Sequence, residues 1–125
     1  MSYLLDTHTL LWWLSENPIL STQAKTIIAT PQNLRFVCAV SEWEISIKKA
    51  LGKLDATDDL EQAIAYNNFT PLEITIQDGN LAGKLPNYHN DPFDRMLIAQ
   101  AMNNNLTIIT KDSKIPQYQV KTILA

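Results

Sequence analysis

Three short apolar runs punctuate the chain: Tyr3-Leu4-Leu5, Leu34 to Val40, and Leu106-Thr107-Ile108-Ile109-Thr110. Each is too short for a stable helix and rich enough in branched or aromatic residues for a strand. The segments between them read as helices. That alternation constrains the fold most, because strands joined through helices pair in parallel and need helices on both faces of the sheet. The expected class is therefore α/β. Open sheets of this kind place their working residues just beyond the carboxyl ends of the strands.

The helices announce themselves by their caps. Thr7-His8-Thr9 reads as a turn after the first strand, and Leu10 to Leu14 as a short helix closed by Ser15-Glu16-Asn17-Pro18. Ser21 caps a helix to Ala29, which Thr30-Pro31 stops. Ser41-Glu42-Trp43-Glu44 has the form of a capping box, opening a helix to Leu51 with Trp43, Ile47, Ala50 and Leu51 as its apolar face and Gly52 as its end. Asp58 to Tyr66 is a further helix, Phe69 to Ile74 an extended segment, and Thr75 to Lys84 a helix in which Thr75 and Asp78 again resemble a cap. Leu85 to His89 is a loop. Asp91 then caps, Pro92 takes the first helical position, and the helix runs to about Asn103. Val120 to Leu124 is expected as a last edge strand.

Size and composition narrow the function. At 125 residues, 46% hydrophobic and 18% charged, the sequence suits one globular domain over residues 1–125. A core of that size buries roughly two-thirds of the unfolded surface. The lone cysteine, Cys38, excludes a disulfide framework and a cysteine-based zinc site, and suits a reducing cytosol. No leader is expected, since Tyr3 already reads as strand, and no apolar run reaches membrane-spanning length. The net charge of −3 argues weakly against nucleic acid. Setting aside Asp6, Glu44, Asp94 and Asp112, however, leaves nine acids against ten bases.

Those four acids deserve setting aside. Asp6 follows the first strand and Asp112 the third, while Glu44 and Asp94 fall in first turns of helices, so one edge of the sheet can gather all four. Each has a structural reading. Glu44 can close a capping box, and Asp6 and Asp112 can be turn residues. Asp91 is accounted for by capping. Asp94 is harder to dismiss, because its helical neighbours are Leu97 and Ile98 and a carboxylate on an apolar face needs compensation. Carboxylates brought together repel, and a hard divalent cation removes that repulsion. Such an ion can polarise a phosphodiester and activate water. Lys48, four residues after Glu44, can pair with it or reach a phosphate. His8 and His89 have no ligand-spaced partner in the sequence and read as an incidental turn residue and a solvated loop residue.

The segments Leu4-Leu5-Asp6-Thr7-His8, Ser41 to Lys48, Leu51-Gly52-Lys53-Leu54, Asp91-Pro92-Phe93-Asp94-Arg95-Met96-Leu97-Ile98-Ala99-Gln100-Ala101 and Leu106 to Asp112 resemble, in this order, the PIN-domain ribonucleases. The nearest likeness is to the VapC-like toxins of bacterial type II toxin–antitoxin systems. The resemblance covers nearly the whole chain. It implies a three-layer α/β/α sandwich with a mostly parallel central sheet, and cleavage of RNA with Mg²⁺ or Mn²⁺, one or two ions. It carries the family's acidic quartet onto Asp6, Glu44, Asp94 and Asp112. Asp112 would complete the pocket, and Thr7 and Thr110 would support the acids through hydroxyls. Lys48 and Arg95 would contact phosphate. A protein antitoxin, homodimerisation and a cytoplasmic location are also implied. Two other readings stand beside it. One is a receiver-like phosphoacceptor domain using Asp6 with Thr110-Lys111. The other is a non-catalytic RNA-binding or interaction module on the same fold.

Overall fold

The computed structural model describes residues 1–56 and 59–125. Among these, β1 (Ser2–Leu5), β2 (Leu34–Cys38), β3 (Thr70–Leu72), β4 (Thr107–Thr110) and β5 (Lys121–Leu124) form one sheet in the order β3-β2-β1-β4-β5. All neighbouring pairs are parallel. Six helices connect them: α1 (Thr7–Leu14), α2 (Thr22–Ala29), α3 (Ala39–Ala50), α4 (Leu60–Tyr66), α5 (Ile76–Lys84) and α6 (Pro92–Asn104). A single 3-10 turn, Ile115–Gln117, precedes β5. Asp58, expected as the first residue of the fourth helix, lies outside the described residues.

Side chains alternate along each strand, and the alternation divides the core in two. Tyr3 and Leu5 of β1, Val37 of β2 and Ile109 of β4 face one cluster with Leu10, Ala24, Ile28 and Leu60. Leu4, Cys38 and Ile108 face the other, with Leu97, Ile98 and Ala101 of α6. Helices thus cover both faces, giving three layers. Leu97, Ile98 and Ile108 are fully buried, and cutting any one back to alanine would cost about 2–5 kcal/mol.

The topology decides where a site can form. From β1 the chain moves outward to β2 and β3, then returns to the other side of β1 for β4 and β5. The connections leave in opposite directions at β1 and β4, opening a crevice at their carboxyl ends. Leu5 pairs with Ile109, so Asp6 falls level with Thr110.

Several helix starts differ from expectation, and they matter to the site. The first helix begins at Thr7, with Asp6 as its cap: Asp6 Oδ1 accepts from the Thr9 amide at 2.8 Å. His8 therefore sits on a helix and is exposed. β2 ends at Cys38, whose Sγ accepts from the Val40 amide at 3.2 Å, and α3 starts at Ala39. The capping box expected at Ser41 does not form, since Ser41 is already inside the helix and completely buried. The buried face of α3 is Val40, Ser41, Glu44 and Ile45. Trp43 and Leu51, expected inward, are 61% and 63% exposed. The physical reason is that half of the true inner face is polar, so hydrophobic spacing pointed to the wrong side. The end of that helix did follow the sequence: Gly52 takes φ 70°, a conformation costly for a residue with a Cβ.

Candidate functional site

The carboxyl ends of β1 and β4 meet the second turn of α3, one turn later than expected for Glu44, and the first turn of α6 around a cavity of about 370 Å³, whose walls include Asp6, Glu44, Asp94 and Asp112. Each acid arrives on a different element, and each is held by a specific donor. Asp6 is 4% exposed. Besides capping α1, it accepts from Thr110 Oγ1 at 2.5 Å through Oδ2. Burial pushes its carboxyl above the usual range, against those hydrogen bonds. Thr7 Oγ1 lies 2.7 Å from Glu44 Oε1 and 3.1 Å from Ser41 Oγ, hydrogen-bonding to both. Glu44 Oε2 accepts from Lys48 Nζ at 2.6 Å, the i,i+4 pair open to either reading in the sequence.

Asp94 and Asp112 meet through His89. His89 is buried, not a solvated loop side chain. Its Nε2 lies 2.9 Å from Asp94 Oδ2 and 3.2 Å from Asp112 Oδ2. The loop before α6 turns inward because Tyr118 and Arg95 bind its backbone: the His89 amide donates to Tyr118 Oη at 2.9 Å. A clue existed in the sequence, since His89 stands two residues before the helix cap and so within reach of the first turn. Apolar periodicity could not register it.

Electrostatics separate the acids. Burial, then the nearby charges of Asp91, Asp6 and Asp112, push Asp94 up to about 7, with His89 opposing. Burial also raises Asp112, but amides of Lys114 and Ile115 donating to Oδ1 at 2.7 and 3.1 Å, together with His89, outweigh it and leave this carboxyl low. Asp91 is the N-cap of α6, its Oδ1 accepting from the amides of Phe93 and Asp94 at 2.8 and 3.3 Å.

Two cationic expectations come apart. Lys48 lines the cavity. Arg95 does not reach it, because its guanidinium binds the carbonyls of Ala82, Leu85, Pro86 and His89 at 2.8–3.1 Å. The planar fork gathers the carbonyls at the end of α5 and in the loop after it, so its role in phosphate contact is replaced by one in holding the loop. His8 and Trp12 line the cavity without having been expected there, and so does Lys111, which only the receiver-like reading had set beside Asp6. Lys111 Nζ donates to the Ile19 carbonyl at 3.0 Å, whereas a phosphoacceptor mechanism would have it serve Asp6.

The donor set suits a hard divalent cation. Several acceptor-only carboxylates share a small cavity, and the charges of Asp91, Asp6 and Asp112 add to burial in raising Asp94. By spacing alone His89, Asp94 and Asp112 form a possible metal-binding group, their ligand atoms within 4.8 Å of one another. No described helix is long and apolar enough to cross a membrane.

Comparison with known proteins gives a consistent set of likenesses. The family model described as the PIN domain matches residues 3–121. A curated protein from Mycobacterium tuberculosis, ribonuclease VapC22, is 27% identical over 124 residues, covering 93% of this chain and 91% of its own. Among solved structures, VapBC2 from Rickettsia felis, bound to a promoter DNA fragment, superposes with a TM-score of 0.72 at 14% identity, covering 98% of each chain. A toxin–antitoxin complex from Klebsiella pneumoniae follows with a TM-score of 0.67 at 19% identity, covering 98% of this chain and 96% of the other. At those identities the structures speak to the fold.

Proposed function

Since this chain belongs to the PIN-domain family, we propose that it is a divalent-metal-dependent endoribonuclease, the toxin of a toxin–antitoxin pair acting in the cytoplasm. The observation that carries the proposal is the convergence of Asp6, Glu44, Asp94 and Asp112 from four elements on one cavity. The name and length match of the VapC22 ribonuclease support RNA as substrate.

Asp6, Glu44 and Asp94 would hold Mg²⁺ or Mn²⁺, one or two ions. Such an ion supplies Lewis acidity towards a phosphoryl oxygen and a lowered pKa for attacking water. The protein's part is placement. Thr110 and Thr7 fix the rotamers of Asp6 and Glu44 by donating to one oxygen of each, while the Thr9 amide and Lys48 hold the other. Asp112, with amides on one oxygen and His89 on the other, contributes charge at the rim more readily than a direct bond. Lys48 is half-exposed beside Glu44 and can follow a phosphate. Hydrolysis of this kind leaves a 5′-phosphate and a 3′-hydroxyl.

A protein partner has a surface to use. A groove of about 800 Å³ between α1, α2 and α4 is lined by Trp12, Trp13, Leu14, Leu20 and Tyr66. Trp12 also forms part of the acidic cavity's wall. An antitoxin seated in the groove would therefore lie beside the acids it must silence, and the toxin–antitoxin complex among the structural relatives supports a partner of that kind. Homodimerisation belongs to the same proposal. The test is Asp94→Asn: loss of RNA cleavage in a protein that still melts cooperatively supports catalysis, whereas undiminished cleavage favours a non-catalytic module.

A further inference from the structure

We propose that His89 is a positioning residue that aims Asp94 and Asp112 through an Nε2–H donor, and is not itself a ligand of the metal. The inference rests on the metal-site reading above and sharpens it, because spacing alone admits His89 to the ligand set.

The argument starts from what holds the ring. The His89 amide donates to Tyr118 Oη at 2.9 Å, and Tyr118 Oη donates in turn to the Pro86 carbonyl at 2.5 Å. The His89 carbonyl accepts from Arg95 Nη1 at 3.1 Å. Both backbone polar groups of His89 are thus anchored, one to the segment before β5 and one to α6. The imidazole has a third tie: the Asp91 amide donates to Nδ1 at 3.3 Å.

That third contact fixes the tautomer. An Nδ1 that accepts a hydrogen bond carries no proton, so the neutral ring carries its proton on Nε2. Nε2 is the atom facing Asp94 Oδ2 and Asp112 Oδ2, at 2.9 and 3.2 Å. An N–H has no lone pair to offer a cation, whereas it can hold two carboxylates at once. Asp91 therefore acts twice, capping α6 with its side chain and setting the ring of His89 with its amide. The imidazole sits behind the carboxylates as their common orienting partner, an arrangement with the reach of the outer hydrogen bonds that tune metal sites. The two acids come from α6 and the β4–β5 connection, and this ring bridges them.

The test uses Mn²⁺ alone with the purified chain. Pulsed EPR of the Mn²⁺-loaded wild-type protein should show no hyperfine coupling from a directly bonded ¹⁴N. Long-range ¹H–¹⁵N imidazole spectra of the metal-free protein should show His89 protonated at Nε2 and bare at Nδ1. His89→Ala should weaken Mn²⁺ binding about 10–100-fold by calorimetry, and His89→Gln, which returns an N–H near the Nε2 position, should recover most of it. A direct ¹⁴N coupling, an Nδ1–H tautomer, or unchanged affinity in His89→Ala would each overturn the positioning role while leaving the metal reading intact. Absence of Mn²⁺ binding to the wild type would overturn the metal reading, and this inference with it. The two spectroscopic measurements need no variant, so poor folding of His89→Ala cannot shelter the claim.

Discussion

At the scale of single residues, burial alone does not distinguish a working carboxylate from a structural one. Asp78 is 2% exposed, yet its carboxyl lies low. Burial pushes it up, and donors from Asn103, Thr75 and Gln100 outweigh that. The Asp94 carboxyl stands near 7, because burial and then the charges of Asp91, Asp6 and Asp112 outweigh the opposing His89. The stability consequence has a definite sign. A carboxyl raised in the folded state favours folding below its unfolded value of 3.8 and loses that contribution as pH rises through about 7. In EDTA, Asp94→Asn should therefore be the more stable protein at pH 8, by a few kcal/mol at most, with the advantage shrinking towards pH 4. Urea melts at the two pH values measure it, and an advantage that grew on acidification would contradict the assignment. Thr110→Val probes the other end of the cavity. Removing the hydroxyl strands Asp6 Oδ2, so Mn²⁺ affinity should fall, and melting should show a loss of about 1–3 kcal/mol. How Asp94 would be compensated was only half legible in the sequence. The helical spacing to Leu97 and Ile98 said that a partner was needed. It could not say that His89 supplies one, because that contact depends on how a loop folds back.

At the scale of elements, the caps and strand ends carried most of the information that reached the site. Thr75 and Asp78 form a reciprocal capping box, and Asp91 with Pro92 opens α6 as the residues suggested. α3 shows where such reading stops. Ser41 and Glu44 have the spacing of a capping box, but the strand before them ends at Cys38, and the extra helical turn carries both side chains inward. Nothing local to Ser-Glu-Trp-Glu records where β2 stops pairing with β1. The same early start brings Glu44 to Thr7, 37 residues away. Arg95 was misread for a related reason. Its position beside Asp94 in the sequence implied the cavity, whereas one helical step of 100° turns it to the loop carbonyls. Arg95→Lys cannot span four carbonyls with one ammonium, so it should cost roughly 2–3 kcal/mol in denaturant melts. It should also speed amide exchange across residues 85–90. Unchanged exchange there would remove Arg95 as the brace of the His89 loop.

At the scale of the molecule, the alternation of strands and helices dictated a parallel sheet with two covered faces, and the sheet order then decided which strand ends adjoin. That order was not readable from the strands themselves, since β1, β2 and β4 are all short apolar runs. It becomes clear only once β4 is seen to return beside β1. Two surfaces follow from this layout, the acidic cavity and the aromatic groove that shares Trp12 with it. A charge introduced in the groove away from the acids should separate them. Tyr66→Glu should leave RNA cleavage intact and weaken inhibition by the antitoxin at least tenfold, a difference of about 1.4 kcal/mol. Equal inhibition of both proteins would remove the groove as the docking surface. The most direct measurement for the account as a whole is mapping of RNA ends after incubation with the purified chain and Mg²⁺, with the Asp94→Asn protein and EDTA run alongside. The expected result is fragments bearing 5′-phosphates from the wild-type chain, reduced about 100-fold or more by the substitution and abolished by chelation. Equal cleavage by Asp94→Asn, or fragments ending in 5′-hydroxyls that persist in EDTA, would contradict it.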